Sequence, residues 1–295
     1  TWAPPLRSAD GDLLSEKPRL DARARDMQRN DAYVAGGAAL HKDSIVGEEY
    51  RLNARISSKL LFGVQDDKWD AEAQEEIETR FHFYAESPNN WADAQRVNTL
   101  TGMVRQAVGT HVGGGEVLAS SEWDDDGRPF ASNVLMIDAD RLSTPPELDQ
   151  YSQSRIRAGV ERTKRGAPIA YHICSHHPRD YFAYGALGGT NPTWKRVKRS
   201  NSWGRQQILH IYETLRPDQT RGIAAMVTAL TEMRMLKHFR KTELQRAVIA
   251  ATYAASIETD LPSDAGIAVG AGQDSENPWV NAAQEFMRFQ AGYYG

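Results

Sequence analysis

Apolar residues recur at helical spacing from Leu20 to about Ile45, where Ala24, Met27, Tyr33, Val34 and Leu40 fall on related positions. The pattern predicts one or two helices, with Gly36-Gly37 as a weak point and Gly47 as a stop. "EYRLNARI" (49–56) alternates as a strand does. "DAEAQEEIETRFHFYAE" places Ile77, Phe81 and Tyr84 on one face with acids near its start, an amphipathic helix ended before Pro88. A further helix over 98–112 runs into "HVGGGEVLASSEW", read as a helix-to-strand turn entering Glu116-Val117-Leu118. Another strand is predicted from Ser132 to Asp138, with "WDDDG" (123–127) as the solvated turn before it. In 155–174, two short β runs flank a Lys-Arg-Gly turn.

The longest periodic stretch begins "RGIAAMVTALTEM" and passes about 35 residues without proline or a further glycine, a helix of roughly 50 Å at 1.5 Å per residue. Strands in the middle and helices at the ends indicate an α+β chain without internal repeats. The expected divisions are an extended N-terminal arm (1–19), an α+β body (20–209), a junction turn (210–222), a long helix (223–260) and the start of a following region (261–295). In the junction, "HIYETLRPDQTRGI", Pro217 and Asp218 form a turn, Thr220 is a reasonable cap, and Gly222 permits close approach into the helix.

With 295 residues, 40% hydrophobic and 25% charged, the chain is long enough for one large domain or two smaller ones. A net charge of −4 gives no overall basic field to hold nucleic acid. The single Cys174 excludes an intrachain disulfide and fits assembly in a reducing cytoplasm. There is neither an apolar run of about eighteen residues nor a signal-like opening. Beginning at Thr1 and not at Met, the chain reads as processed or trimmed.

Candidate chemistry is sparse. Asp138 and Asp140 in "MIDADRL", with His172, His176 and His177 in "AYHICSHHP", could serve a metal-dependent hydrolase or nuclease. The simpler reading is a strand end with turn-forming acids, an ion pair to Arg141, and a strand leading into a His-Pro turn. "GGGE" (113–116) lacks the residues of a phosphate loop and the spacing of a dinucleotide fingerprint. "WKRVKRSNSWGRQ" interleaves Lys195, Arg196, Lys198, Arg199 and Arg205 with Trp194 and Trp203. Such a loop can face DNA or a partner, although an exposed charged loop is the default. Neither a catalytic constellation nor a cofactor site emerges.

These residues carry a family resemblance. "TWAPPLRSADGDLL", the Ala-Arg-x-x-Asp-x-x-Arg-Asn pattern in "LDARARDMQRNDAYVAGGAALHKDSIVGEEYRL", "GGGEVLA", "MIDADRLSTP", "IRAGVERTKRGAPIAYHICSHHP" and "GRQQILHIYETLRPDQTRGI" resemble the lambda-like portal proteins of tailed bacteriophages. The most specific stretch is Gly-Gln-Thr-Arg-Gly before the long helix, where Asp218 replaces the usual glycine. The likeness extends over about residues 1–262, and the family continues past Gly295 into the elements that complete the stem and clip, form the tunnel loop and build the crown.

The resemblance implies a non-enzymatic portal fold: a wing-like body followed by a stem-like helix. It implies a ring, typically of about twelve copies, at the capsid vertex of the virion, assembled in the host cytoplasm. Expected partners are other copies of the chain, the terminase large subunit, head-tail connector or adaptor proteins, the major capsid protein and scaffold, and double-stranded DNA passing non-specifically, with no membrane and no cofactor. Gln219, Thr220, Arg221 and Gly222 then become a junction. In this reading Arg221 contacts a carbonyl or carboxylate across the subunit boundary, and the arm at 1–19 reaches over a neighbour.

Overall fold

The structure, a computed structural model, describes residues 3–125, 127–149, 155–180 and 192–252. Two units divide the chain at Lys237/His238, and of the second, residues 238–252 are described.

The first unit begins with α1 (Ala9–Leu13), α2 (Lys17–Asn30) and α3 (Ala32–Val46). Part of the expected arm is therefore helical, with Ser8 capping α1 through the Gly11 N–H. The break between α2 and α3 falls at Asp31, not at Gly36-Gly37. Asp31 is extended, and its carboxylate accepts from the N–H groups of Tyr33 and Val34, so a strong N-cap decides the boundary. After α3 come α4 (Ser58–Phe62), α5 (Asp67–Ala85) and α6 (Leu100–Gly114). Residues 49–56 do not form the expected strand. Tyr50 N–H donates to Thr101 Oγ1 and Ala54 N–H to Glu78 Oε1, while the Ile56 carbonyl accepts from Gln74 Nε2. Side chains of α5 and α6 thus supply what a neighbouring strand would have supplied.

The chain continues through β1 (Glu116–Trp123), β2 (Ser132–Ile137), α7 (Pro146–Asp149), β3 (Ile156–Arg157), β4 (Val160–Arg162), β5 (Pro168–Cys174), β6 (Trp194–Lys198) and β7 (Ile208–Tyr212). Two antiparallel sheets result, ordered β2-β1-β7 and β3-β4-β5-β6. The architecture is α+β. Leu118, Ile137, Leu142, Val160, Tyr171, Ile173 and Ile208 form the core shared by the strands. Ala24, Met27 and Val34 pack with Ala224 and Leu230 in a second cluster. A 3-10 turn spans Ala225–Ala229, and α8 runs from Leu230 to Thr252.

The Lys-Arg-Gly turn does join two strands, β4 and β5. An additional two-residue turn, Ala158-Gly159, joins β3 to β4, and both residues have positive φ, 45° and 83°. This is the arrangement for which Asn-Gly is favoured, and alanine is poorly suited to its first position. Ala158→Asn is expected to raise the unfolding free energy by about 0.5–1 kcal/mol, read from urea midpoints.

Candidate functional site

The junction is organised by one buried guanidinium. Arg221 is 4% exposed, and all five of its N–H groups are engaged within its own chain. Nε lies 2.9 Å and 3.0 Å from the two Glu116 carboxylate oxygens, and Nη2 donates to Glu116 Oε1 and, at 2.8 Å, to the Ala139 carbonyl. Nη1 donates to the carbonyls of Leu142 and Ala158 at 2.8 and 3.0 Å. Arg221 therefore ties β1, the turn after β2, and the β3–β4 hairpin to one point. A contact from Arg221 to a second copy would have to displace one of these bonds.

Glu116, the first residue of β1, is 1% exposed. Besides Arg221 it receives Lys17 Nζ at 3.2 Å, His210 Nε2 at 3.0 Å and the Gly222 N–H at 3.0 Å. An ionised carboxylate only accepts, so His210 carries its proton on Nε2 here. Lys17 also donates to the carbonyls of Gly114 and Gly222 and pairs with Asp21. Burial works to raise the Glu116 pKa, but the charge of Arg221, the His210 and Arg221 hydrogen bonds and Lys17 together hold it far below the ordinary carboxylate range. Asp21 goes the other way, raised because burial outweighs its pairing with Lys17.

The depressed Glu116 pKa makes stability depend on acid. The unfolded chain takes up this proton near pH 4.5 and the folded chain only at much lower pH. The stabilisation is therefore complete above pH 4.5 and is lost progressively below it, by up to about 1.4 kcal/mol per pH unit. Urea unfolding at successive pH values should show this slope in the wild type. In Glu116→Gln it should be shallower by this contribution, the remainder coming from other carboxylates held low in the fold, Asp140 and Glu161 among them.

The remaining signature residues hold the preceding loop. The Gln219 side chain accepts from the N–H groups of Leu215 and Arg216 and donates to the Arg221 carbonyl. Thr220 caps no helix: its N–H and Oγ1 donate to the two carboxylate oxygens of Asp10, at 2.8 and 2.6 Å. Asp10 also meets Arg157 at 2.9 Å, and Arg216 donates to the Arg7 carbonyl. The N-terminal segment thus lies on its own chain's junction. Asp218 adopts φ 64°, a left-handed conformation that aspartate tolerates better than most residues. Gly222 and Gly115 meet backbone to backbone: a Cβ on Gly222 would lie 2.1 Å from the Gly115 oxygen.

α-Helix therefore begins at Leu230, not at residue 223 as the periodicity predicts. Gly222 gives its N–H to Glu116 and its carbonyl to Lys17, and Ala224 is extended and buried against Ala24, Met27 and Val34.

Among the other candidates, Asp138, Asp140 and His177 bring possible ligand atoms within 4.8 Å of one another. Arg25, not Arg141, is the partner of these acids, bridging both Asp140 oxygens at 2.5 and 2.9 Å and approaching Asp138 at 3.8 Å. Its positive charge sits where a cation would have to bind. His172 lies elsewhere, buried beside Glu161, and His176 is not among the clustered ligands. Arg141 instead donates to the Cys174 carbonyl.

The basic stretch is only partly a loop. Lys195, Arg196 and Lys198 belong to β6, the edge of its sheet, where charge opposes pairing with another strand. Arg196 pairs with Glu161 at 2.7 Å. Arg205 donates to Ser121 and Ser132 and lies 5.5 Å from the centre of the Trp123 ring, while Lys195, Lys198 and Arg199 are exposed.

Sequence reasoning picked out Arg221 but not Glu116, Lys17, Asp10 or His210. The only local signal was an acid directly after three glycines at a strand start. Among the described residues, no helix is long and apolar enough to cross a membrane.

Comparison with known proteins places this network in context. The sequence model described as phage portal protein, lambda family, matches residues 1–293. A portal protein of Escherichia phage N15 is 33% identical over 276 residues, covering 93% of this chain and 50% of the relative. Portal protein B of Escherichia phage lambda is 32% identical over 278 residues, covering 94% and 50%. The chain thus spans about half the length of the curated relatives it matches.

Proposed function

Since the chain belongs to the lambda family of phage portal proteins, we propose that it is a structural subunit of the ring at the capsid vertex of a tailed phage. In that role about twelve copies close head to tail into a cycle. The ring passes double-stranded DNA in packaging and ejection, docks the terminase large subunit, contacts capsid protein and scaffold, and later holds head-tail connector proteins. Assembly takes place in the host cytoplasm.

The family match along nearly the whole chain carries this reading. A net charge of −4 favours it, since a strongly basic lining would add an attraction for DNA at every step of its passage. The metal-dependent hydrolase draws no support: both relatives are portal proteins, and its acids are occupied by Arg25. The long helix, with Met235, Leu236, Phe239, Leu244 and Val248 exposed, is the stem-side element in this assignment.

Native mass spectrometry of the purified particle tests the proposal. A closed ring of about twelve subunits is the expected result. A species that remains monomeric at every concentration would overturn ring formation by this chain.

A further inference from the structure

We propose that residues 222–229 are a conformational spring, held out of the α-helix by Lys17, and that releasing Lys17 extends α8 back to Ile223. The inference concerns this chain's own folding equilibrium and does not depend on the ring.

It starts from a conflict between local sequence and observed conformation. Ile223-Ala-Ala-Met-Val-Thr-Ala-Leu230 contains no proline or glycine, and alanine, methionine and leucine are strong helix formers. Yet Ala224 is extended (φ −62°, ψ 127°) and Ala225–Ala229 is a 3-10 turn. Such a local stretch of 3-10 helix beside an α-helix often marks a hinge, and a segment whose propensity opposes its conformation is a natural two-state element.

The hydrogen bonds show what opposes the helix. An α-helix beginning at Ile223 would have Gly222 as its N-cap, and the Gly222 carbonyl would accept from the Met226 N–H. In the structure that carbonyl accepts from Lys17 Nζ at 2.8 Å. The Val227 N–H, which would reach back to Ile223, donates to Ala224 at 3.0 Å, the shorter 3-10 pattern. Lys17 cannot drift away, because Glu116, Asp21 and the Gly114 carbonyl hold the same ammonium group. The N-terminal segment is thus the catch: the Gly222 oxygen has a second lone pair, so Lys17 acts by fixing the direction of this carbonyl, which a helix from Ile223 would have to turn onto the Met226 N–H.

Burial of Ala224 with Ala24, Met27, Val34 and Leu230 opposes release, so the spring is set by two contacts, one ionic and one apolar. A change that lifts α2 away from the junction would loosen both together.

The test uses the whole chain with Lys17→Met and follows the 13Cα chemical shifts of Ala224, Ala225 and Ala229, together with far-UV circular dichroism. The expected result is movement of the Ala224 shift from an extended to a helical value, with a gain in helix signal. Adding Ala225→Gly, which weakens a helix interior but leaves Lys17's partners untouched, should diminish both changes. An Ala224 shift that stays extended, or becomes that of a disordered chain, overturns the proposal. Where Lys17→Met does not fold, Lys17→Gln, which keeps a neutral donor of shorter reach, is read by the same shifts and the same criteria.

Discussion

Arg221→Ala is expected to lower the unfolding free energy by about 3–5 kcal/mol, the usual consequence of removing one partner from a buried ion pair. The size comes from what remains behind. Glu116 would stay 1% exposed with its strongest partner gone, and the carbonyls of Ala139, Leu142 and Ala158 would each lose a donor. Lys17 and His210 still reach Glu116, which keeps the loss finite. Arg221→Lys should recover little, because an ammonium has three donors in a compact head and cannot span five acceptors arranged around a planar fork. Urea unfolding by circular dichroism gives the measurement. A loss under about 1 kcal/mol would mean that the pair contributes no more than a surface ion pair does.

Gly222→Ala is the second large effect, with an expected cost of about 4 kcal/mol or more and little folded chain recovered. The new Cβ would lie 2.1 Å from the Gly115 oxygen and 2.8 Å from its carbonyl carbon, both backbone atoms that no rotamer change can move aside. Gly115→Ala is blocked from the other side, 2.0 Å from the Ile223 carbonyl carbon, and in addition sits at φ 75°. Gly36→Ala is the control, since nothing lies within 4 Å of the added carbon there. It should leave soluble yield unchanged or raise it slightly, because alanine suits a helix better than glycine. Recovery of Gly222→Ala at wild-type yield and urea midpoint would show that the two backbones do not pack this closely.

The contrast between what was readable in the sequence and what was not follows from how local each cause is. β1, β2 and β5 were legible because their apolar content and turns are short-range signals, and α6 because the glycine run 113–115 marks its end. Residues 49–56 alternate like a strand, but alternation says nothing about where the backbone hydrogen bonds go, and here they go to Thr101, Glu78 and Gln74. The late start of α8 has the same origin: propensity favours a helix from 223, and residues about 200 positions away in sequence override it. The "QTRG" stretch stands out as the turn between a strand and the long helix and as the most specific part of the family resemblance, whereas its partners are Asp10, Lys17 and Glu116, each unremarkable in its own neighbourhood. A single sequence shows a buried arginine no differently from an exposed one, so its role at the subunit boundary was a natural expectation and the engagement of all five N–H groups within its own chain was not.

The distance along the chain between these partners also sets an order of events during synthesis. Helices α2, α3 and α6 have all left the ribosome once residue 115 or so has done so, well before the junction that their unit also contains. Asp10 and Thr220 are separated by 210 positions, and Glu116 and Arg221 by 105. Until Arg221 emerges, Glu116 has no guanidinium and Asp10 lacks its threonine. At about 5–20 residues per second, the interval between the emergence of Glu116 and of Arg221 is on the order of 5–20 seconds. During that time Lys17 is the cation within reach of Glu116, and Arg157 joins Asp10 part-way, so both acids stay only partly matched until Thr220 and Arg221 arrive.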